Sequence, residues 1–198
     1  MQITKQELLH IFIAWLVISL AFAWRGFSNY QVFIFNLPVV LLAAGTGFIF
    51  HELAHKFVAI YYHAKARFVM WPSGLLFAVV LSLATGGGFV FAAPGAVYIW
   101  GKDLSRKENG IISVAGPLSN LVIAIIFFIV GFILFSFYNN PLITSIVFTV
   151  ISVNLFLGLF NLLPIGPLDG YKVLVWNKAV WLILLLVFIG LFALFYIM

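Results

Sequence analysis

Two histidines and a glutamate stand close together in the sequence HELAH, which runs from His51 to His55. Positions i and i+4 of an α-helix share one face, so the imidazoles of His51 and His55 can hold one metal ion between them. Glu52 follows the first histidine and can reach a water molecule on that metal without binding the metal. Two ligands and a general base on one helix are the pattern of zinc hydrolases.

A catalytic zinc site needs a third protein ligand and keeps one position for water. The chain has five acidic residues, and three lie in polar stretches away from the motif: Glu7, Asp103 and Glu108. With Glu52 assigned as the base, Asp169 is the best remaining candidate. It lies in NLLPIGPLDG, residues 161–170, where prolines break an apolar run and loose backbone can line a cavity. His10 and His63 are weaker candidates for the third ligand.

These residues also have an ordinary structural interpretation. Histidines in membranes can hydrogen-bond to carbonyl groups of a neighbouring helix, and an aspartate before a glycine is common in turns. Ionisable side chains inside a bilayer are nevertheless expensive and usually mark a functional site. The pattern therefore predicts one zinc ion per chain, bound by His51, His55 and Asp169.

The elements that must position these residues are strongly apolar. Of 198 residues, 65% are hydrophobic and 8% are charged, whereas a soluble domain is about half apolar and about a quarter charged. We therefore expect residues 1–198 to form a single membrane-embedded domain in contact with lipid. The net charge is +5, but the basic residues are scattered between apolar runs, which favours topology signals over a nucleic-acid surface. The absence of cysteine excludes thiolate ligands.

Six apolar runs are candidates for membrane spans. The first, residues 8–24, has features of a signal peptide, but we expect it to remain as a span because the rest of the chain is also apolar. The third, residues 74–99, is interrupted by Gly86-Gly87-Gly88 and by Pro94-Gly95. The other four cover residues 38–62, 111–137, 142–163 and 180–196.

The lysines and arginines orient these runs, because basic residues favour the cytosolic side. They lie on one side only if residues 74–99 enter the membrane and return. We therefore predict an all-α polytopic membrane protein with five to six transmembrane helices and a re-entrant, partly extended segment near 74–99. That segment is predicted to be helical near Leu75–Leu83 and extended near Phe89–Tyr98. The alternative is a sixth full crossing, which would place three basic residues on the opposite side: Lys102, Arg106 and Lys107.

Three motifs in chain order resemble those of the site-2 protease family of intramembrane zinc metalloproteases. They are HELAH at 51–55, AGPLSN at 115–120 and NLLPIGPLDG at 161–170. This combination is much more specific than the first motif alone. The resemblance implies a catalytic core of three transmembrane helices at about 38–171, flanked here by the spans 8–24 and 180–196. No stretch of this sequence is long and polar enough for an added PDZ or CBS domain, so it looks like a minimal member.

The resemblance also implies roles for individual residues. His51, His55 and Asp169 correspond to the zinc ligands, and Glu52 corresponds to the catalytic base. Asn161 corresponds to an asparagine that steadies the substrate or the oxyanion. Three residues of the second motif correspond to positions that shape a helix start near the site, and we treat them as structural: Gly116, Pro117 and Asn120.

The function implied is hydrolysis of peptide bonds within the transmembrane segments of membrane-protein substrates. We expect an integral membrane protein with its active site toward the cytosolic side, in a prokaryotic cell membrane. The extended half of the re-entrant segment could pair with an unwound substrate as an added strand, which makes four residues candidates for substrate binding: Phe89, Val90, Phe91 and Ala92. Packing against neighbouring helices is an equally good interpretation of that stretch.

Two other classes of function compete with this hypothesis. A membrane metal-ion transporter or metal sensor could use the same histidine and aspartate cluster. Such a protein would need liganding groups staged along a path, and the sequence offers only one cluster. An inactive relative would be expected to lack Glu52, which is present.

Overall fold

The computed structural model describes residues 3–24, 26 and 29–197. Within this part of the chain, five helices are long and apolar enough to cross a membrane. They are Lys5–Ala23, Tyr30–Tyr61, Arg106–Phe137, Pro141–Asn161 and Lys178–Phe195. The predicted all-α polytopic membrane protein is therefore confirmed, and the alternative with six full crossings is wrong.

The first two spans form the N-terminal part of the bundle. Helix α1 covers Lys5–Ala23, and Thr4 caps it by accepting a hydrogen bond from the backbone of Glu7. The second span consists of α2 (Tyr30–Ala44), one π-helical turn (Gly45–Ile49) and α3 (Phe50–Tyr61), which carries the HELAH motif. This span begins eight residues before the predicted start at Pro38 (38 − 30 = 8), because the helix continues through that proline.

The segment between the second and third long helices packs against α1, and its two ends pair with each other. Strand β1 (Lys65–Met70) is followed by the short helix α4 (Pro72–Ala84), an irregular stretch and strand β2 (Gly95–Trp100). The two strands pair antiparallel, with Lys65 opposite Trp100 and Met70 opposite Gly95. Both ends of the excursion therefore lie side by side. Helix α4 has 13 residues, a length of about 20 Å, which is too short to cross a hydrocarbon layer of about 30 Å.

The predicted re-entrant segment is thus confirmed, with two corrections. The regular strand begins at Gly95 rather than near Phe89, and residues 89–94 have no regular secondary structure. Strand β1 was not predicted. Its basic residues at 65 and 67 were interpreted only as topology signals, and its strand partner lies about 30 residues further along the chain.

The C-terminal half supplies a helical hairpin and two further helices. Helix α5 (Arg106–Phe137) begins five residues before the predicted Ile111 (111 − 106 = 5), because Ser105 and Glu108 form a capping box inside the polar loop. Helix α6 (Pro141–Asn161) packs along α5, and Asn140 caps its start. After a turn follow α7 (Asp169–Trp176) and α8 (Lys178–Ile197).

Two charged residues are buried where the sequence indicated exposed ones. Glu7 is 1% exposed and Lys56 is 2% exposed, and the ammonium group of Lys56 lies 2.6 and 2.7 Å from the two carboxylate oxygens of Glu7. The prediction that Glu7 lies in a polar stretch away from the HELAH motif was wrong, because Glu7 is buried against Lys56 on the helix that carries this motif. Each charge is tolerated in the interior because it is paired with the other.

Candidate metal centre

The structure brings His51, His55 and Asp169 together at one buried point. The two histidines lie one turn apart on α3, and Asp169 is the first residue of α7. The Oδ2 atom of Asp169 lies 3.2 Å from Nε2 of His51 and 2.9 Å from Nε2 of His55. One ligand atom from each residue lies within 4.8 Å of the other two. Neither His10 nor His63 belongs to this cluster.

Both imidazole rings are oriented by hydrogen bonds on the side away from Asp169. Nδ1 of His51 lies 2.6 Å from Oδ1 of Asn120, and Nδ1 of His55 lies 2.7 Å from the carbonyl oxygen of Ile112. Since both partners are oxygen acceptors, each Nδ1 carries the proton and donates it. Each Nε2 is then left with its lone pair toward the cluster, which is the tautomer that a metal-binding histidine needs.

Asn120 is itself oriented by a buried network between three elements. Its amide nitrogen donates to the carbonyl oxygen of Gly47, at 2.8 Å, and to Oδ1 of Asn154 on α6, at 3.1 Å. Asn154 in turn donates to the carbonyl oxygen of Val150, at 2.9 Å. Both asparagines are fully buried. These contacts fix which end of the Asn120 amide faces His51.

Gly116 on α5 faces the two histidines. A Cβ atom at this position would collide with Nε2 of His55 and would lie 2.5 Å from Nε2 of His51. Any side chain here would therefore fill the space in which the ligand atoms converge. The interpretation of the second motif as a helix start was wrong, because Gly116 and Pro117 lie inside α5, which begins at Arg106. The observed feature of Gly116 is instead the open space beside the two histidines.

Asp169 is held at the start of α7 by close backbone packing. The next residue is Gly170, where a Cβ atom would collide with the carbonyl group of Leu162. The ammonium group of Lys172, one turn further on, lies 3.6 Å from Oδ1 of Asp169. Burial raises the pKa of the Asp169 carboxyl, but His55 and His51 lower it by more, so its pKa lies below the usual range. The carboxylate is therefore ionised, as a metal ligand must be.

Glu52 and Asn161 both line a cavity of about 310 Å³ that lies against the cluster. Glu52 is buried, and its Oε2 atom has no hydrogen-bond partner among the described residues. The amide nitrogen of Asn161 donates to the carbonyl oxygen of Leu157 in its own helix, at 3.0 Å. The structure therefore brings both residues to the cavity but leaves only the glutamate with an unused buried oxygen.

The four residues predicted to bind substrate lie at different places. Val90 and Ala92 are buried in the core, Phe89 is exposed, and Phe91 packs edge-on against Phe160. Of these four, only Ala92 lines the cavity. Strand β2 also lines this cavity, from Gly95 to Ile99.

The donor set fits zinc. Two imidazole nitrogens with free lone pairs and one carboxylate oxygen form a typical set of three ligands for a catalytic zinc ion, and the adjoining cavity leaves room for water. The oxygen acceptors on both Nδ1 atoms are the outer partners that such sites use. The membrane-spanning helices and this site together place the protein in the class of membrane-embedded zinc metalloproteases.

Known proteins agree with this class. MJ0611 of Methanocaldococcus jannaschii is 43% identical over 187 residues, which cover 94% of this chain and 93% of the relative. YwhC of Bacillus subtilis is 32% identical over 70% of the chain and 68% of its own length. Both carry provisional names as zinc metalloproteases, and MJ0392 of M. jannaschii, 30% identical over 84% of the chain and 40% of the relative, is named a zinc metalloprotease. No family model and no solved structure matches the chain.

The chain therefore belongs to the site-2 protease-like family of zinc metalloproteases. It binds one zinc ion. Sequence reasoning indicated the metal cluster but missed two residues beside it, Asn154 and Lys172. It named Gly116 and Asn120 without predicting their contacts with the histidines. The polar residues within apolar helices at 120 and 154 were the available signal, since such residues are expensive there unless they are paired.

Proposed function

We propose that this zinc metalloprotease hydrolyses peptide bonds within transmembrane segments of membrane-protein substrates. One observation carries the proposal. The buried cluster of His51, His55 and Asp169 lies among helices of membrane-spanning length, and the residues of strand β2 line the cavity beside it. A substrate segment would reach this cluster from the surrounding lipid rather than from a soluble surface.

The proposed roles follow from the contacts. His51, His55 and Asp169 hold the zinc ion, which when bound supplies Lewis-acid activation of water and of the scissile carbonyl group. Glu52, with its unpartnered oxygen in the cavity, takes a proton from the attacking water and passes it to the leaving amine. Asn161 lies in the same cavity, and its amide would have to leave the Leu157 carbonyl to bind the substrate or the oxyanion.

The proposal extends to domain organisation and location. The catalytic core is proposed to cover residues 38–171, with the spans at either end of the chain beside it. The site is proposed to face the cytosolic side of a prokaryotic cell membrane, because the basic residues cluster at the loops next to it and because the relatives are archaeal and bacterial.

Strand addition is the proposed mode of substrate binding, and the backbone of β2 supports it. The amide of Trp71 donates to the carbonyl oxygen of Pro94, at 2.9 Å, which extends the register of β1 and β2 by one bonded pair. Bonded and non-bonded pairs alternate along an antiparallel ladder. The N–H and C=O groups that face away from β1 on this strand are therefore those of Gly95, Val97 and Ile99.

The residues that carry these groups, Gly95, Val97 and Ile99, line the cavity beside the metal cluster. An extended peptide placed along β2 would satisfy them and would run past the zinc ligands. A transmembrane helix shields its own peptide bonds with internal hydrogen bonds, so strand addition also explains how an unwound substrate is held. The proposed binding surface is therefore Gly95–Ile99, adjacent to the four residues that the sequence indicated.

Replacing Val97 with proline tests strand addition. The substitution removes one outward N–H group without removing a bond to β1, and edge strands tolerate proline at such positions. We expect about a tenfold fall in cleavage, the value of roughly one hydrogen bond, with zinc content unchanged. Val97→Ala is the matched control, because it shortens the side chain and keeps the N–H group. Equal cleavage by Val97→Pro and wild type would refute strand addition.

Replacing Glu52 with glutamine tests the enzymatic proposal. The probe is a labelled peptide with one apolar span of about 20 residues, interrupted by Asn-Gly. We expect cleavage in lipid vesicles to fall by about 10³-fold, because general-base catalysis contributes on that order. Zinc content should stay at one ion per chain, because the ligands are untouched. Metal flux through vesicles without any cleavage by wild type would instead favour the transporter.

A further inference from the structure

We propose that Glu7 is a positioning residue that occupies one edge of the two-stranded sheet, so that a substrate strand can be added only at the edge next to the metal. This inference rests on the proposed strand addition. It assigns a role in the active site to α1, which lies outside the predicted catalytic core of residues 38–171.

The side chain of Glu7 joins three elements. Its carboxylate accepts two short contacts from the ammonium group of Lys56 on α3, at 2.6 and 2.7 Å. Oε1 of the same carboxylate also accepts a hydrogen bond from the backbone N–H of Phe68 on β1, at 3.0 Å. Glu7, Lys56 and Phe68 are all at most 2% exposed. The contacts are therefore part of the interior and are not a surface ion pair.

The strand register shows which edge this contact occupies. Phe68 lies opposite Val97, and this pair belongs to the non-bonded set of the ladder. The N–H group of Phe68 therefore points away from β2, along the outer edge of β1. Glu7 satisfies this group, and α1 packs along the strand. One edge of the sheet is thus covered, and the other edge lines the cavity.

A sheet edge with unpaired backbone groups is a template for an added strand. A two-stranded sheet has two such edges. Strand β2 lines the cavity beside His51, His55 and Asp169 along most of its length, from Gly95 to Ile99, whereas β1 reaches that cavity only at its end, with Val69 and Met70. A substrate that paired with β1 would be bound away from the zinc ligands and would not be cut. The carboxylate of Glu7 already binds the Phe68 N–H group on the edge of β1, and this contact prevents a substrate from pairing there.

Glu7 also connects the sheet to the helix that carries the ligands. Its partner Lys56 is the residue after His55, so the same carboxylate contacts β1 and the neighbour of a zinc ligand. Loss of the acceptor would free β1 from α3 and would alter the distance between the edge of β2 and the zinc site. The binding of substrate should suffer more than the binding of zinc.

Two double variants separate the acceptor from the charge. Glu7→Gln with Lys56→Met removes both charges and keeps an acceptor for the Phe68 N–H group. Glu7→Met with Lys56→Met removes both charges and the acceptor. Neutral replacement of a buried ion pair is often tolerated, whereas removal of one partner leaves a buried charge without its counterion. The two variants therefore differ in one feature, the oxygen that faces β1.

Both variants are compared with wild type in full-length form in lipid vesicles, with the labelled peptide described above. For the variant with glutamine, we expect the half-saturating mole fraction of substrate to stay within about twofold of the wild-type value. The variant with methionine should raise that fraction by about tenfold, as expected for one unpaired buried N–H group, with equal zinc affinity. Hydrogen exchange at the amide of Phe68 should accelerate in the methionine variant alone.

Glu7→Asp is a second test if the methionine variant does not fold. It keeps the charge pair but is one methylene too short to contact both Lys56 and Phe68, so the half-saturating fraction should again rise while zinc affinity stays constant. Unchanged half-saturation and unchanged exchange at Phe68 would overturn the role of Glu7. If Val97→Pro cleaves normally, strand addition itself fails, whereas failure at Glu7 alone with a sensitive Val97 leaves the proposed function standing.

Discussion

Gly116 shows how one missing atom sets the shape of the zinc site. The Nε2 atoms of His51 and His55 converge on Oδ2 of Asp169, and the α-carbon of Gly116 lies beside that point. The backbone can approach so closely only because no Cβ atom is present. A glycine in a helix costs about 1 kcal/mol relative to alanine, so its presence here is explained by the space that the ligands need.

Gly116→Ala is expected to abolish zinc binding or weaken it by at least about 10²-fold. The added methyl group would collide with His55 and displace at least one imidazole. A displaced ligand lowers the affinity for zinc strongly. Gly190→Ala is the matched control, because nothing lies within 4 Å of a Cβ atom at that helical position. Metal content after purification measures both. Normal zinc content in Gly116→Ala would contradict the assignment of the metal position.

The helices α5 and α6 hold the site through paired asparagines. Asn120 connects α5 to His51 on α3, and Asn154 connects α6 to Asn120. Unpaired amides are costly in an apolar interior, and these two satisfy each other and the backbone of Gly47 and Val150. The network therefore transmits the relative position of the helices to one zinc ligand.

Asn120→Leu is expected to lower zinc affinity by about 10- to 100-fold, because His51 loses the acceptor that sets its tautomer and orientation. Asn154→Leu should have a smaller effect, because Asn120 keeps its bond to the carbonyl of Gly47. Competition with a chelator of known affinity measures both variants. If Asn154→Leu lowered zinc affinity as much as Asn120→Leu or more, Asn154 would not act on His51 through Asn120, as these contacts imply.

In the whole molecule, the proposed zinc ligands come from distant parts of the chain. His51 and Asp169 are 118 residues apart in sequence, and they join the N-terminal helices to α7. A ligand that binds only the folded state stabilises it, by about 2.7 kcal/mol when its concentration is 100 times the dissociation constant. The unfolded chain does not hold these three ligands in one place.

Removal of zinc with a chelator is therefore expected to lower the melting temperature in detergent by several degrees. The His55→Ala variant provides the control, because it lacks one ligand and should melt at the same temperature with and without chelator. Addition of zinc should restore the wild-type value. A wild-type melting temperature that does not respond to chelator would contradict the role of zinc in joining the two halves.

Local properties of the sequence were sufficient for the membrane class, the facing histidines and the re-entrant segment. Apolar content decides whether lipid is the solvent, the i, i+4 spacing decides which side chains share a face, and the basic residues decide which ends lie together. Elimination among few acidic residues also indicated Asp169.

Contacts between distant residues depend on how the helices pack. Lys56 and Glu7 are 49 residues apart, and His51 and Asn120 are 69 residues apart. The pairing of β1 with β2 likewise joins the two ends of an excursion. Each of these residues has an ordinary interpretation in its own segment, as an exposed charge, a helix-shaping asparagine or a loop. Burial alone changes that interpretation, because a polar group removed from water must find its partner elsewhere in the fold.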